Sequence, residues 1–118
     1  MNRPLVSVVI PFFSRKDWLE VAVDSVLQQT YGNIEILIIN DGSKESIDDF
    51  LKKSSRIRVI HQENGGPALA RNVGIANATG KYVAFLDSDD VWLPEKLTHQ
   101  IHEMESNGYV WTQHSYKM

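Results

Sequence analysis

Apolar runs of strand length alternate along this chain with segments whose apolar residues recur at helical spacing. Leu5 to Phe13, rich in Val and Ile and apolar on both faces, predicts a buried parallel strand. Arg15 to Gln29 predicts a helix capped by Ser14, with Leu19, Ala22, Val23, Val26 and Leu27 on one face. Asn33 to Asn40 predicts a second buried strand, closed by Asp41-Gly42-Ser43. A short amphipathic helix through Ile47, Phe50 and Leu51 leads to a third strand at Ile57 to His61. Pro67 opens a further helix through Leu69, Val73 and Ala76, which Gly80 ends after Thr79. Lys81 to Leu86 is the fourth strand, a helix follows from Pro94 to Glu105, and Tyr109 to Ser115 is a candidate last strand.

Strands separated by helices imply right-handed βαβ crossovers, hence an α/β fold with a mainly parallel, Rossmann-like sheet flanked by helices. In such sheets ligands bind in the crevice beyond the carboxyl ends of the strands. The polar residues gather there: Ser14, Asp41 and the Asp87-Ser88-Asp89 cluster each follow a different strand. Three separate segments therefore converge on one cleft.

The cluster carries the strongest chemical signal. Phe85-Leu86 runs straight into Asp87, Ser88, Asp89 and Asp90, and carboxylates this close repel one another unless a cation compensates them. Hard cations such as Mg²⁺ or Mn²⁺ suit oxygen ligands and are often shared with substrate phosphates. Asp90, just before Val91-Trp92-Leu93-Pro94, reads instead as the cap of the last helix.

Composition narrows the field. The chain has 118 residues and a formal net charge of −3, with its positive residues dispersed, so there is no basic footprint for nucleic acid. Cysteine is absent, which excludes disulfides and thiolate metal sites. No secretory-signal pattern and no apolar stretch of membrane-spanning length occurs, which predicts a cytoplasmic domain, or one peripheral at the inner face of the membrane. His99, His102 and Glu103 share a helical face, but without a further ligand they read as a solvated surface. Trp18, Trp92 and Trp111 read as packing anchors, with Trp92 close enough to the acidic cluster to border a ligand. A Gly-x-Gly-x-x-Gly turn after the first strand and a P-loop are both missing, so a dinucleotide-dependent dehydrogenase does not fit.

Four motifs occur in order: Val6-Ser7-Val8-Val9-Ile10-Pro11, Ile39-Asn40-Asp41-Gly42-Ser43, Asn64-Gly65-Gly66-Pro67 with Ala70-Arg71-Asn72-Val73-Gly74, and Phe85 to Asp90. Together they resemble the nucleotide-binding half of the family-two glycosyltransferases, which have the GT-A fold. The resemblance implies that Pro11, Phe13 and Ser14 wall a nucleoside pocket, with Phe13 where the family often has tyrosine; Phe12 reads as core. It implies that Asp41 accepts the imide N–H of uracil, that Gly66 lies beside the base, and that Arg71 reaches the acidic cluster or a phosphate. It further implies that Asp87, Ser88 and Asp89 line the sugar-diphosphate site, with Asp89 and Asp87 holding Mn²⁺ or Mg²⁺.

The implied activity is inverting sugar transfer from a nucleotide-diphosphate sugar, a UDP-sugar by preference, to a sugar, lipid-linked or polysaccharide acceptor. Residues 1–118 then read as the nucleotide-sugar-binding half of such a domain, the acceptor half and the general base lying outside this sequence; no catalytic base is assigned. The alternative is a non-catalytic nucleotide-binding remnant acting as an interaction module. Apolar residues near Val110 and Trp111, left uncovered, predict self-association.

Overall fold

The computed structural model describes residues 3–106. Among them, four strands form one all-parallel sheet in the order β3-β2-β1-β4. These are β1 (Val6–Phe12), β2 (Ile34–Asp41), β3 (Ile57–Gln62) and β4 (Tyr82–Phe85). The helices are α1 (Lys16–Leu27), α2 (Pro67–Asn77) and α3 (Lys96–Ser106), and a short 3-10 turn spans Asp48–Lys52.

The strands form where uninterrupted Val and Ile runs can bury both faces. Val6, Val8, Ile10 and Phe12 of β1, with Ile34, Ile36 and Ile38 of β2, pack against α1 and α3 through Leu19, Val23, Val26, Leu97 and Ile101. Val9, Leu37, Ile39 and Phe85 look the other way, onto Ala70 of α2. Helices thus cover both faces, as the alternating pattern predicts.

Topology fixes the place of the site. The chain runs from β1 outward to β2 and β3, then crosses over α2 to set β4 on the opposite side of β1. A crevice therefore opens beyond the carboxyl ends of β1 and β4, where the strand order reverses. The loop at Phe13–Arg15 and the acidic cluster emerge on its two sides.

Local details depart from the sequence expectations. Ser14 makes no cap for α1; Arg15 occupies the N-cap position with left-handed backbone (φ 70°, ψ 67°). The Arg15 and Lys16 N–H groups donate instead to the Glu45 carboxylate at 2.9 and 3.2 Å. α2 ends at Asn77 and passes into extended backbone at Ala78 rather than at Gly80. Gly80 is required for another reason: a Cβ there would sit 2.7 Å from the Leu5 carbonyl oxygen. Leu69 of α2 is exposed, and Ala70 and Gly74 face the sheet in its place. α3 begins at Lys96, so Asp90 is not its cap. The candidate strand at Tyr109 to Ser115, with Val110, Trp111 and His114, lies outside the described residues.

Candidate functional site

A cleft of about 480 Å³ opens at the reversal point. Pro11, Phe13, Ser14, Asp41, Gly66, Asp87, Ser88 and Asp89 all line it, and Phe12, Arg15, Trp18, Asn64 and Pro67 complete the wall. The three segments expected to converge are thereby brought together. Phe12 reaches the cleft but is otherwise core, at 1% exposure, whereas Phe13 is 54% exposed.

Asp41, the last residue of β2, is only 5% exposed. Its Oδ1 accepts from Gln62 Nε2 at 2.8 Å and from the Gly65 N–H at 2.7 Å. Its Oδ2 accepts from the Gly66 N–H at 3.0 Å and from Asn64 Nδ2 at 3.3 Å. Burial alone would raise this carboxyl, but the bonds from Gln62, Gly65 and Gly66 outweigh it and hold the group below the usual carboxylate range. Asp41 therefore stays ionised while fixing the Asn64–Gly66 wall of the cleft. Gly66 serves this with a φ of +93°, which places its N–H on the carboxylate as α2 begins.

Across the cleft, Asp87, Asp89 and Asp90 each offer a carboxylate oxygen within 4.8 Å of the others. Among the described residues this is the one group that could hold a metal ion, and its all-oxygen donor set fits Mg²⁺ or Mn²⁺. Asp90, expected to be a helix cap, belongs to this group. Arg71 of α2 approaches from the side, with Nη2 3.4 Å from Asp87 Oδ1. Burial pushes the nearby Lys96 amine down to about 8, with Asp90 opposing the shift. His99 is an exposed side chain beside Glu95, and His102 and Glu103 are exposed, as a solvated face should be.

The cluster is held at both ends. Before it, the Leu86 N–H donates to the Val9 carbonyl of β1 at 3.0 Å. After it, the buried Trp92 ring sits in the core, so this tryptophan is an anchor and not part of the cleft wall. Trp18 behaves otherwise: it is 46% exposed, lines the cleft, and carries the Arg15 guanidinium 3.8 Å above its ring. The sequence pattern alone does not single out Arg15 and Trp18 as site residues. The left-handed backbone at Arg15 is the structural signal that marks this lip.

An all-parallel sheet flanked by helices, with Asp41 and Asp87 to Asp89 lining one cleft at the reversal point, is the Rossmann-like arrangement of the GT-A fold. Residues 7–117 match the model of the Glycosyl transferase family 2, and the chain belongs to that family. A glycosyltransferase of Rickettsia felis is 50% identical over 115 residues, which are 95% of this chain and 19% of that protein. The glycosyltransferase GlyG of Streptococcus pneumoniae is 38% identical over 120 residues, covering 95% of this chain and 40% of the relative. This chain thus spans less than half the length of either. Among solved structures, Staphylococcus aureus TarS in complex with UDP-GlcNAc shares the fold, with a TM-score of 0.80 and 24% identity, over 87% of this chain and 32% of TarS. The Pyrobaculum calidifontis mannosyltransferase PcManGT, in complex with GDP-Man and Mn²⁺, superposes with a TM-score of 0.67 at 23% identity, over 77% of this chain and 29% of that one. No helix among the described residues is long and apolar enough to cross a membrane.

Proposed function

We propose that this chain is the nucleotide-sugar-binding half of an inverting glycosyltransferase, with a UDP-sugar as donor and Mn²⁺ or Mg²⁺ bound by Asp89 and Asp87. The observation that carries the reading is the single cleft in which an ionised Asp41 faces the carboxylates of Asp87 and Asp89.

In this reading the base enters between Phe13 and the Asn64–Pro67 wall. A uracil imide N–H takes the place of the Asn64 amide, the longest of the four bonds to the Asp41 carboxylate at 3.3 Å. That amide keeps its other bond, to the Asp41 carbonyl at 3.1 Å. Cytosine has no such N–H, so an ionised acceptor discriminates against it. Phe13 contributes a stacking surface without a phenolic donor. Arg71 stands where it neutralises Asp87 and a donor phosphate together.

An ion held by Asp89 and Asp87 would supply Lewis acidity to the leaving diphosphate. The protein's own part is to hold Arg71 in place before charge develops, so that its guanidinium stabilises the negative charge growing on the diphosphate in preference to the ground state. No general base is assigned in this chain. The sugar, lipid-linked or polysaccharide acceptor binds to parts of the enzyme beyond this cleft.

Calorimetric titration with UDP and with CDP tests the base assignment. UDP is expected to bind about tenfold or more tightly than CDP, since a hydrogen bond to a charged acceptor is worth about 1.5–3 kcal/mol. Asp41→Ala should weaken UDP and erase the preference. Equal affinities for UDP and CDP in the folded wild type would overturn it.

A further inference from the structure

α1 enters the cleft only at its first turn, yet its far end grips the chain that leaves the acidic cluster. Ser25 Oγ accepts the Trp92 N–H at 3.2 Å while donating to the Ala22 carbonyl at 2.7 Å. Gln29 Nε2 donates to the Leu93 carbonyl at 2.7 Å and to the Ser25 carbonyl at 3.1 Å. Gln29 Oε1 accepts the Leu97 N–H at 3.0 Å, one of the free donors that open α3. The Thr30 N–H adds a bond to the Pro94 carbonyl at 2.8 Å. Both polar side chains are buried, Ser25 at 7% and Gln29 at 8% exposure. Buried polar groups so fully paired are costly to disturb, because each lost partner leaves a desolvated donor or acceptor behind.

The segment from Asp87 to Val91 is thus strung between two fixed points: Leu86 on β1 and Trp92 on α1. Its placement decides how closely the carboxylates of the cluster gather around one ion. We propose that Gln29 and Ser25 are positioning residues for the divalent-cation site, setting the ion affinity of the Asp87 and Asp89 carboxylates from the last turn of α1 and the residues just after it. This rests on the donor-site reading above. Groups that orient ligands from behind typically change metal affinity when altered.

Mn²⁺ alone is titrated into the folded wild type, Gln29→Met, Ser25→Ala and Val26→Ala, with free ion followed by electron paramagnetic resonance. Val26→Ala opens a cavity in the same helix without touching the loop bonds, and so controls for lost stability. Gln29→Met should weaken Mn²⁺ by about tenfold or more, and Ser25→Ala in the same direction, with Val26→Ala close to wild type. Wild-type affinity in both folded loop variants, or equal weakening in Val26→Ala, would overturn the proposal. Backbone amide chemical shifts of Asp87 to Val91, recorded without metal, provide an independent readout. They should move in Gln29→Met and stay in Val26→Ala; if they do not move in Gln29→Met, the clamp is refuted. A wild type that binds no Mn²⁺ would instead overturn the donor-site reading, the clamp then standing or falling on the amide shifts.

Discussion

The Arg71 guanidinium on α2 reaches Asp87 beyond β4 with Nη2 3.4 Å from Oδ1, tying α2 to the acidic cluster at the side of the cleft. Both side chains are partly exposed, at 38% and 23%, so solvent screens the pair and it contributes at most about 1 kcal/mol to stability. Its position beside the acidic cluster fits the phosphate contact proposed above. Arg71→Ala should leave the denaturant midpoint nearly unchanged while lowering UDP affinity about tenfold, the order expected for a charge-assisted phosphate contact. Chemical denaturation and calorimetry on the same preparation check the two halves of this expectation.

At the opposite end of the sheet, Glu35 ties the crossovers together. Its carboxylate accepts from Ser7 Oγ and from the Thr79 N–H and hydroxyl, with Arg58 nearby. Burial would raise this carboxyl, but the Ser7 and Thr79 bonds and the Arg58 charge prevail and hold it below its ordinary 4.5. A carboxyl depressed in the folded state stabilises the protein above its unfolded pKa, and that contribution is lost as the pH falls through the folded value. Asp41, also depressed, acts in the same direction. Thermal stability should therefore hold from neutral pH down to about 5 and fall below about 4. Glu35→Gln should cost about 1–3 kcal/mol at pH 7 and flatten part of the acid limb. Melting curves across pH, in wild type and variant, measure both effects.

Gly74 lets α2 lie close against β1. A Cβ there would stand 2.3 Å from Val9 Cγ1 and 2.8 Å from its Cγ2, in a fully buried contact. Alanine is the better helix former by about 1 kcal/mol, yet forcing a methyl into a filled core costs about 1–3 kcal/mol. Because both Val9 methyls block the way and Val9 cannot move without shifting β1, the steric cost should win. Gly74→Ala should lower stability by about 1 kcal/mol or more, as read from its denaturation midpoint.

The order of strands and helices was legible in the sequence because each strand is a continuous apolar run and each break carries polar or Gly/Pro signals. The convergence of these residues on one cleft was legible for a related reason: Asp41 and Asp87–Asp89 each stand where a buried strand reaches polar surface. What stayed hidden depends on distant partners. Glu45 serves the opening of α1 from 30 residues away, and Gln29 serves α3 across 68. No local pattern encodes either pairing, which is why Ser14 and Asp90 read as caps. α2 shows a different limit. Large apolar side chains drew attention to Leu69, whereas close approach to β1 selects the small residues Ala70 and Gly74. Trp18 misled by size in the same way, since its helical position points it to the cleft mouth and not to the core.

The most direct test of the donor site is calorimetric titration of UDP into the wild type and Asp89→Ala, each with and without Mn²⁺. Mn²⁺ should tighten UDP binding to the wild type by about tenfold or more, and Asp89→Ala should abolish that gain, since losing a ligand costs at least what losing an outer partner does. UDP binding that ignores Mn²⁺ in the wild type, or an undiminished Mn²⁺ effect in Asp89→Ala, would contradict a metal-dependent donor site built on this cluster.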